Sequence, residues 1–266
     1  MKAGAFVAVI IMGNLLRRAG FFKEEDFYVL SKIVLKITLP AAIISNFSGI
    51  DLKPSMLVMT LLGFGGGILY ITMAFFMSIG KEREERAFNV LNLPGYNIGN
   101  FTMPFAQSFL GPVGVVATSL FDTGNAFVCL GGAYSVAVVT KEKNARFSLL
   151  PVVKTLLKSL PFDAYLIMTV LSFLHVALPA PITSFTGVIG NANAFMAMLM
   201  IGVGFKLNGD SSQPGKIVRI LAARYSLAII LALVFYFLLP FGIEYRQALT
   251  ILALSPMSLS LIHISE

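Results

Sequence analysis

The sequence contains apolar runs that are too long for a soluble protein. No Asp, Glu, Lys or Arg occurs from Pro54 to Gly80 or from Ala164 to Phe205, and Asp122 is the only charged residue from Ala87 to Thr140. A bilayer core requires about 20 apolar residues per helix, so each run can cross a membrane at least once. Because the runs are continuous, and do not alternate in polarity as barrel strands do, they predict an all-α polytopic membrane protein.

Charged clusters, prolines and glycines divide the chain into nine candidate spans. These lie at about 3–19, 27–49, 54–80, 87–110, 112–140, 161–178, 182–206, 216–240 and 245–262. A basic linker at 141–160 separates a first half, 1–140, from a second half, 161–266. The second half has only four spans, so we expect a tenth helix to be missing and the chain to be truncated at its C-terminus. Two five-helix halves would start from opposite faces of the membrane and form inverted repeats.

Basic residues lie almost entirely on one side of this topology. The loops after spans one, three, five and seven hold most of them, whereas the opposite side has only Lys2, Lys53 and Arg246. Basic loops stay in the cytoplasm, so we predict that the N-terminus is outside. The net charge of +7 then reflects membrane orientation, and we expect no nucleic-acid partner.

Prolines interrupt several spans. Pro40, Pro94, Pro104 and Pro256 all lie within predicted spans, and proline removes an amide donor and frees a carbonyl. The fourth span also carries six poor helix formers or polar residues between its two prolines: Gly95, Tyr96, Asn97, Gly99, Asn100 and Thr102. Span nine has Ser255, Pro256 and Ser258 at the equivalent place. A kinked helix held by interhelical hydrogen bonds is the simpler interpretation, but the concentration of such residues favours a substrate site at broken helices.

Buried polar side chains give further candidates. Asp122 is the one acidic residue well inside a span, with Asn125 one turn further along. An intramembrane carboxyl suggests ion or proton coupling, although a structural hydrogen bond from Asn125 is nearly as good an explanation. Asn191 and Asn193 lie near the middle of span seven and could meet the second span.

Nothing in the sequence indicates an enzyme, a metal or a cofactor. His175 has no second ligand at metal spacing, and the glycines of 63–67 lie within a span, where close helix packing explains them better than phosphate binding. A membrane-embedded transferase would require a nucleophile and a base near an interface. We therefore keep a transferase only as a remote alternative.

Several motifs resemble those of the auxin efflux carrier family, which includes bacterial malate permeases. They are Asn97-Ile-Gly-Asn-Phe-Thr-Met-Pro104, Leu120-Phe-Asp-Thr-Gly-Asn125, Leu39-Pro-Ala41 and Gly190-Asn-Ala-Asn-Ala194. The resemblance implies ten helices in two inverted repeats, similar to sodium/proton antiporters and bile acid symporters. Helices one, two, six and seven would form a scaffold and dimer interface, and the others a moving transport domain. Helices four and nine would be broken and cross, with Asn97, Gly99 and Pro104 at one break, Pro256 at the other, and Pro40 facing the substrate.

The resemblance also implies a function. We expect a carrier of small organic anions, such as dicarboxylates or auxin-like carboxylates, in the inner (plasma) membrane of a bacterium, working by elevator-type alternating access. Its expected substrate residues are Asn97, Gly99, Asn100, Pro104, Ser255, Pro256, Pro40 and Asn191, with Asp122 and Asn125 in coupling or structural roles. A homodimer and coupling to H⁺ or Na⁺ are further expectations. A cation/proton antiporter or a sodium-coupled bile-acid-type symporter on the same fold is the main alternative.

Overall fold

Helices form all the secondary structure of the described residues. The computed structural model describes residues 2–48, 50, 52–142, 148–205 and 214–257. Its α-helices are α1 (Lys2–Arg18), α2 (Asp26–Ile33), α3 (Leu39–Phe47), α4 (Val58–Met77), α5 (Arg83–Asn92), α6 (Met103–Phe127), α7 (Ala133–Lys141), α8 (Leu149–Leu156), α9 (Leu160–Phe173), α10 (Ala180–Asn191), α11 (Asn193–Gly204), α12 (Pro214–Phe237) and α13 (Ile243–Ala253). The all-α prediction is confirmed for these residues.

Five helical segments are long and apolar enough to cross a membrane. They are Asp26–Phe47, Pro54–Met77, Ile98–Lys141, Ala180–Gly204 and Gly215–Phe237, and the bent pair α8 and α9 makes a sixth if it is one span. This is the composition of a multi-pass membrane protein.

The count is lower than the nine spans expected from the sequence, for two physical reasons. Helices α1, α5 and α13 have 17, 10 and 11 residues, which is short of the ~20 that a bilayer requires. The segment Ile98–Lys141 counts once although it has 44 residues. At 1.5 Å per residue a straight helix of that length would be ~66 Å long, so the segment has the residues of two spans. Gly111, with φ 58° and ψ −143°, interrupts it just before Pro112.

Wide helical turns precede two of the prolines. Segments Val34–Thr38 and Ile98–Thr102 are π-helical, and Pro40 and Pro104 follow as the second residues of α3 and α6. A proline ring clashes with the carbonyl four residues earlier, which here belongs to Lys36 and Asn100. The extra residue of a π turn widens the backbone at that point, so the helix axis continues past the proline.

Twelve of the thirteen α-helices described pack as two groups, and α8 packs beside the π turn at Val128–Gly132. The first group consists of α1, α2, α3, α9, α10 and α11, in which α1 packs along α11 and α3 along α10. The second group consists of α4 to α7, α12 and α13, in which α4 packs along α6 and α12 along α13. The contact between the groups is made mainly by α6 against α3, α9 and α11. Each half of the chain therefore contributes helices to both groups.

Candidate functional site

The first broken segment lies between α5 and the π turn that begins at Ile98. Residues 93–97 are not helical, because Pro94 has no amide hydrogen to donate and Gly95 adopts a left-handed φ of 85°. That conformation costs a residue with a Cβ about 1 kcal/mol or more, whereas glycine adopts it freely. The sequence predicted a break between Pro94 and Pro104, from the two prolines and the poor helix formers between them.

A second non-helical segment follows α13 and meets the first. The helix ends at Ala253, and residues 255–257 have no regular structure. The Asn97 amide donates a hydrogen bond of 2.9 Å to the Pro256 carbonyl. The Thr102 hydroxyl donates one of 2.7 Å to the Ser255 hydroxyl. We call residues 93–97 and 254–257 together the crossing.

Arg224 of α12 links both parts of the crossing. Its Nη1 donates to the Leu93 carbonyl at 2.6 Å, and its Nη2 lies 2.8 Å from the Gly95 carbonyl oxygen. The same Nη2 lies 2.9 Å from the carbonyl oxygen of Ser255 and 3.2 Å from that of Pro256. These carbonyls lie beyond the C-terminal ends of α5 and α13, where the helix dipole is negative. One guanidinium therefore neutralises the negative ends of both half-helices.

Two tyrosine rings enclose the same guanidinium. Its central carbon lies 4.9 Å from the ring centroid of Tyr70 and 5.5 Å from that of Tyr96. The Arg224 side chain is fully buried, and no carboxylate among the described residues forms an ion pair with it. Cation–π attraction and carbonyl hydrogen bonds thus offset the cost of burying this charge.

A cavity of about 270 Å³ lies beside the first broken segment. Five of the sequence-predicted site residues line it: Asn97, Gly99, Asn100, Asp122 and Asn125. The side-chain oxygen of Asn100 is buried without a hydrogen-bond partner, so a ligand group that donates a hydrogen bond could satisfy it. Gly99 and Asn100 also belong to the first turn after the break, whose amides have no carbonyl partner within the helix.

Two lysines contribute positive charge to this cavity. Lys36 of the first π turn and Lys158 between α8 and α9 both line it, and both are solvent-exposed. Neither forms an ion pair with a described residue. The cavity therefore combines two ammonium groups, amide groups of a helix start and the single carboxyl of Asp122.

Asp122 is held by two hydrogen bonds from different parts of the molecule. Asn125 donates to its Oδ1 at 2.8 Å, and the Tyr165 hydroxyl donates to its Oδ2 at 3.0 Å. Asn125 also bonds to both backbone groups of Tyr96: its Oδ1 accepts from the amide at 3.2 Å, and its Nδ2 donates to the carbonyl at 3.3 Å. Asp122 is thereby connected to the first broken segment on one side and to α9 on the other.

The remaining predicted residues lie away from the cavity wall. Ser255 and Pro256 take part in the crossing itself, while Pro104 is buried at the start of α6 and Pro40 is half-buried at the start of α3. Asn191 is exposed at the end of α10. It is the neighbouring Asn193 that meets the second predicted span, where its Oδ1 accepts a 2.9 Å hydrogen bond from Thr38.

The sequence did not identify Arg224 or Tyr165. Arg224 is the eleventh residue of the 24-residue α12, well inside an apolar span. That depth within an apolar span was the available signal. Tyr165 gives no such signal, because a tyrosine near a span end is ordinary in membrane proteins.

Comparison of the chain with protein-family models and with curated proteins gives no match.

Proposed function

We propose that the protein is a secondary transporter of small organic anions such as dicarboxylates or auxin-like carboxylates. The observation that carries the proposal is the crossing, which lies next to a cavity that contains Asn97, Gly99 and Asn100. Broken helices at mid-membrane are how secondary transporters present backbone groups to a substrate. A chain with only a structural role has no need of two non-helical segments joined through a buried arginine.

The charges around the crossing favour an anion over a cation. Carbonyls at a helix break are the usual ligands of a transported cation, but here four of them already accept hydrogen bonds from Arg224. Beside the Asp122 carboxyl and the side-chain oxygen of Asn100, the groups left for a substrate include the amides of the first turn after the break and the two lysines. Both attract a carboxylate.

We further propose that the chain has nine transmembrane spans, in two inverted repeats of the auxin efflux carrier type. Two observations support this arrangement. Gly111 divides the longest helical segment where the sequence separated the fourth and fifth spans. Each half of the chain also gives its first two predicted spans to the first group of helices and the rest to the second group.

The proposed setting is a bacterial inner membrane with the N-terminus outside. Two sets of contacts bring the predicted cytoplasmic ends together. Arg17 at the end of α1 donates to the carbonyls of Val203 and Phe205 at the end of α11. Arg219 near the start of α12 lies 3.9 Å from Glu85 and contacts the Met77 carbonyl.

Alternating access would be a movement of the second group against the first, which would also form the homodimer interface. Two side-chain hydrogen bonds between described residues join the groups: Tyr165 to Asp122, and Gln107 to the Gly190 carbonyl at 3.2 Å. Proton or sodium coupling would act at Asp122, and export of one negative charge from a cell is favoured by ~2.3 kcal/mol per 100 mV.

Cation exchange is the second candidate, and the position of Asp122 in the cavity favours it. A carboxyl at a transport site can carry a proton or bind Na⁺. In that case Asp122 would be the substrate site itself and the lysines would play no part.

The test is transport by the purified chain in liposomes. Uptake of labelled malate, malonate and indole-3-acetate is measured under an imposed potential, an imposed pH gradient, or neither. Asn97→Ala is compared with Asn191→Ala, because the first asparagine lines the cavity and the second is exposed. Asp122→Asn is measured under the same gradients.

We expect anion uptake that falls at least tenfold in Asn97→Ala and stays near the unmodified rate in Asn191→Ala. Asp122→Asn should lose the part of uptake driven by the pH gradient and keep the part driven by the potential. Sodium or proton exchange without flux of any of the three anions would overturn the proposal in favour of the cation exchanger.

A further inference from the structure

Helix α8 has three distinct faces, although it is only eight residues long. Val152 and Leu156 are buried in a small apolar cluster with Ala126 and Phe162. Leu149, Leu150 and Val153 are apolar but exposed, at 63%, 62% and 42% of their surface. Pro151, Lys154 and Thr155 are exposed as well.

The order of these faces around the helix is that of a helix lying in a membrane surface. At ~100° per residue, the buried stripe of Val152 and Leu156 borders the exposed apolar stripe of Leu149 and Val153. Leu150 follows about 60° further in the same direction of rotation and Lys154 about 40° beyond Leu150, so the lysine side chain leaves from the edge of the apolar stripe. The lipid-facing residues of a membrane-spanning helix are apolar, whereas an interfacial helix has one apolar face and one basic face.

The direction of α8 agrees with its pattern. Its axis is bent by 80° from that of α9 across a short break. Since α9 is an apolar helix within the bundle, a helix at 80° to it runs close to the membrane plane. Lys158, immediately after α8, is exposed as well.

The surrounding charge indicates which lipid this surface would contact. The segment 141–160 contains the basic residues Lys141, Lys143, Arg146, Lys154 and Lys158 and a single acid, Glu142. A basic segment next to a membrane attracts anionic headgroups by ~1 kcal/mol per lysine or arginine. Zwitterionic headgroups offer no such net attraction.

We propose that α8 lies in the headgroup region of the membrane and binds anionic phospholipid, with Leu149, Leu150 and Val153 inserted among the upper acyl chains and Lys154 at the headgroups. It is thus neither part of a bent span nor a re-entrant segment. The proposal does not depend on what the protein transports, because it concerns the depth and lipid contacts of one helix.

The sequence has no tryptophan, so the fluorescence of a single introduced tryptophan reports the position of that residue without background from others. Leu150→Trp places it on the proposed lipid face, and Phe64→Trp places it on the exposed side of the spanning helix α4. Each variant is reconstituted in phosphatidylcholine and phosphatidylglycerol vesicles whose acyl chains carry bromine near the headgroup or near the chain end. Leu157→Trp serves as a second probe of α8 if Leu150→Trp does not fold.

We expect shallow bromine to quench Leu150→Trp more strongly than deep bromine, and the reverse order for Phe64→Trp. Stronger quenching of Leu150→Trp by deep bromine would show a spanning or re-entrant segment. Quenching by aqueous iodide without quenching by bromine would show a helix outside the bilayer. Either result would overturn the proposal.

The choice of lipid is tested by placing bromine on only one of the two lipids. We expect brominated phosphatidylglycerol to quench Leu150→Trp in preference to brominated phosphatidylcholine. Lys154→Gln should reduce that preference roughly fivefold, the factor that corresponds to ~1 kcal/mol per lysine, and Lys53→Gln, on the predicted opposite side, should leave it unchanged. Equal quenching by the two lipids would contradict the anionic-lipid assignment.

Discussion

Arg224 connects the two parts of the crossing through a single side chain. Arginine suits this position because its planar fork of donors can reach several carbonyls at once and its face can stack on aromatic rings. A lysine at the same place would carry the charge but would have neither the reach nor the geometry. The two half-helices are therefore held together by a residue that does not line the cavity.

Replacement of Arg224 by Gln should abolish transport and lower the melting temperature of the protein in detergent. The buried carbonyls of Leu93 and Gly95 would lose their donors, and each unsatisfied group costs ~1–3 kcal/mol. The matched control is Arg219→Gln, five residues away on the same helix, which removes the same charge from a half-exposed position. Surface ion pairs are worth ~0–1 kcal/mol, so that variant should remain stable and active; equal effects of the two changes would refute the role given to Arg224.

At the scale of elements, α4 and α6 approach each other through glycines. A Cβ on Gly63 would overlap the Phe121 carbonyl oxygen, and a Cβ on Gly124 would overlap the Thr60 carbonyl oxygen. Small residues permit this close approach of backbones in membrane helices. The contact fixes α6, and with it Asp122, against the rest of the second group.

The pair Gly63→Ala and Gly65→Ala tests this packing on one helix. Gly63→Ala should lower stability by ~1–3 kcal/mol, the usual cost of overpacking, because the backbone of α6 would have to move. Gly65 has no atom within 4 Å of its would-be Cβ, so Gly65→Ala should be neutral or slightly stabilising, as expected for alanine in a helix. Thermal unfolding in detergent distinguishes the two, and a stable Gly63→Ala protein would rule out the close contact.

The elements also show what a sequence can and cannot predict. The break at residues 93–97 was predictable because proline and glycine act locally, through a missing donor and a left-handed φ. The contacts of Arg224 were not predictable. They depend on how α12 packs against one segment that precedes it and one that follows it, each more than thirty residues away from Arg224 in the sequence. Asn191 was misplaced for a third reason: it ends α10 while Asn193 begins α11, and only the packed structure decides which of the two asparagines is buried.

At the scale of the whole molecule, the two groups of helices meet with few directional bonds. Phe6 of α1 packs against Phe109 of α6 across this boundary, with ring centroids 6.2 Å apart. Phe64 and Phe127 pack at a similar distance, 6.5 Å, within the second group. The two aromatic pairs allow movement between groups to be separated from movement within one group.

Cysteine pairs at these positions should respond differently to a short thiol cross-linker. In a Cys129→Ala background, cross-linked Phe6→Cys/Phe109→Cys should lose uptake and regain it after reduction, because the link stops one group from moving against the other. Cross-linked Phe64→Cys/Phe127→Cys should keep the uptake of its uncross-linked form. Full uptake with the first pair cross-linked would exclude an elevator movement at this boundary.

The contacts of Arg224 with the crossing also bear on how such a chain can evolve. They are made to main-chain oxygens, which every amino acid provides. Apart from Tyr96, which stacks on Arg224, and Asn125, which bonds to the Tyr96 backbone, side chains that line the cavity are therefore free to change without loss of these contacts. A carrier of the proposed kind can thus acquire a new substrate by single substitutions at the other cavity positions, because they do not set the geometry of the crossing.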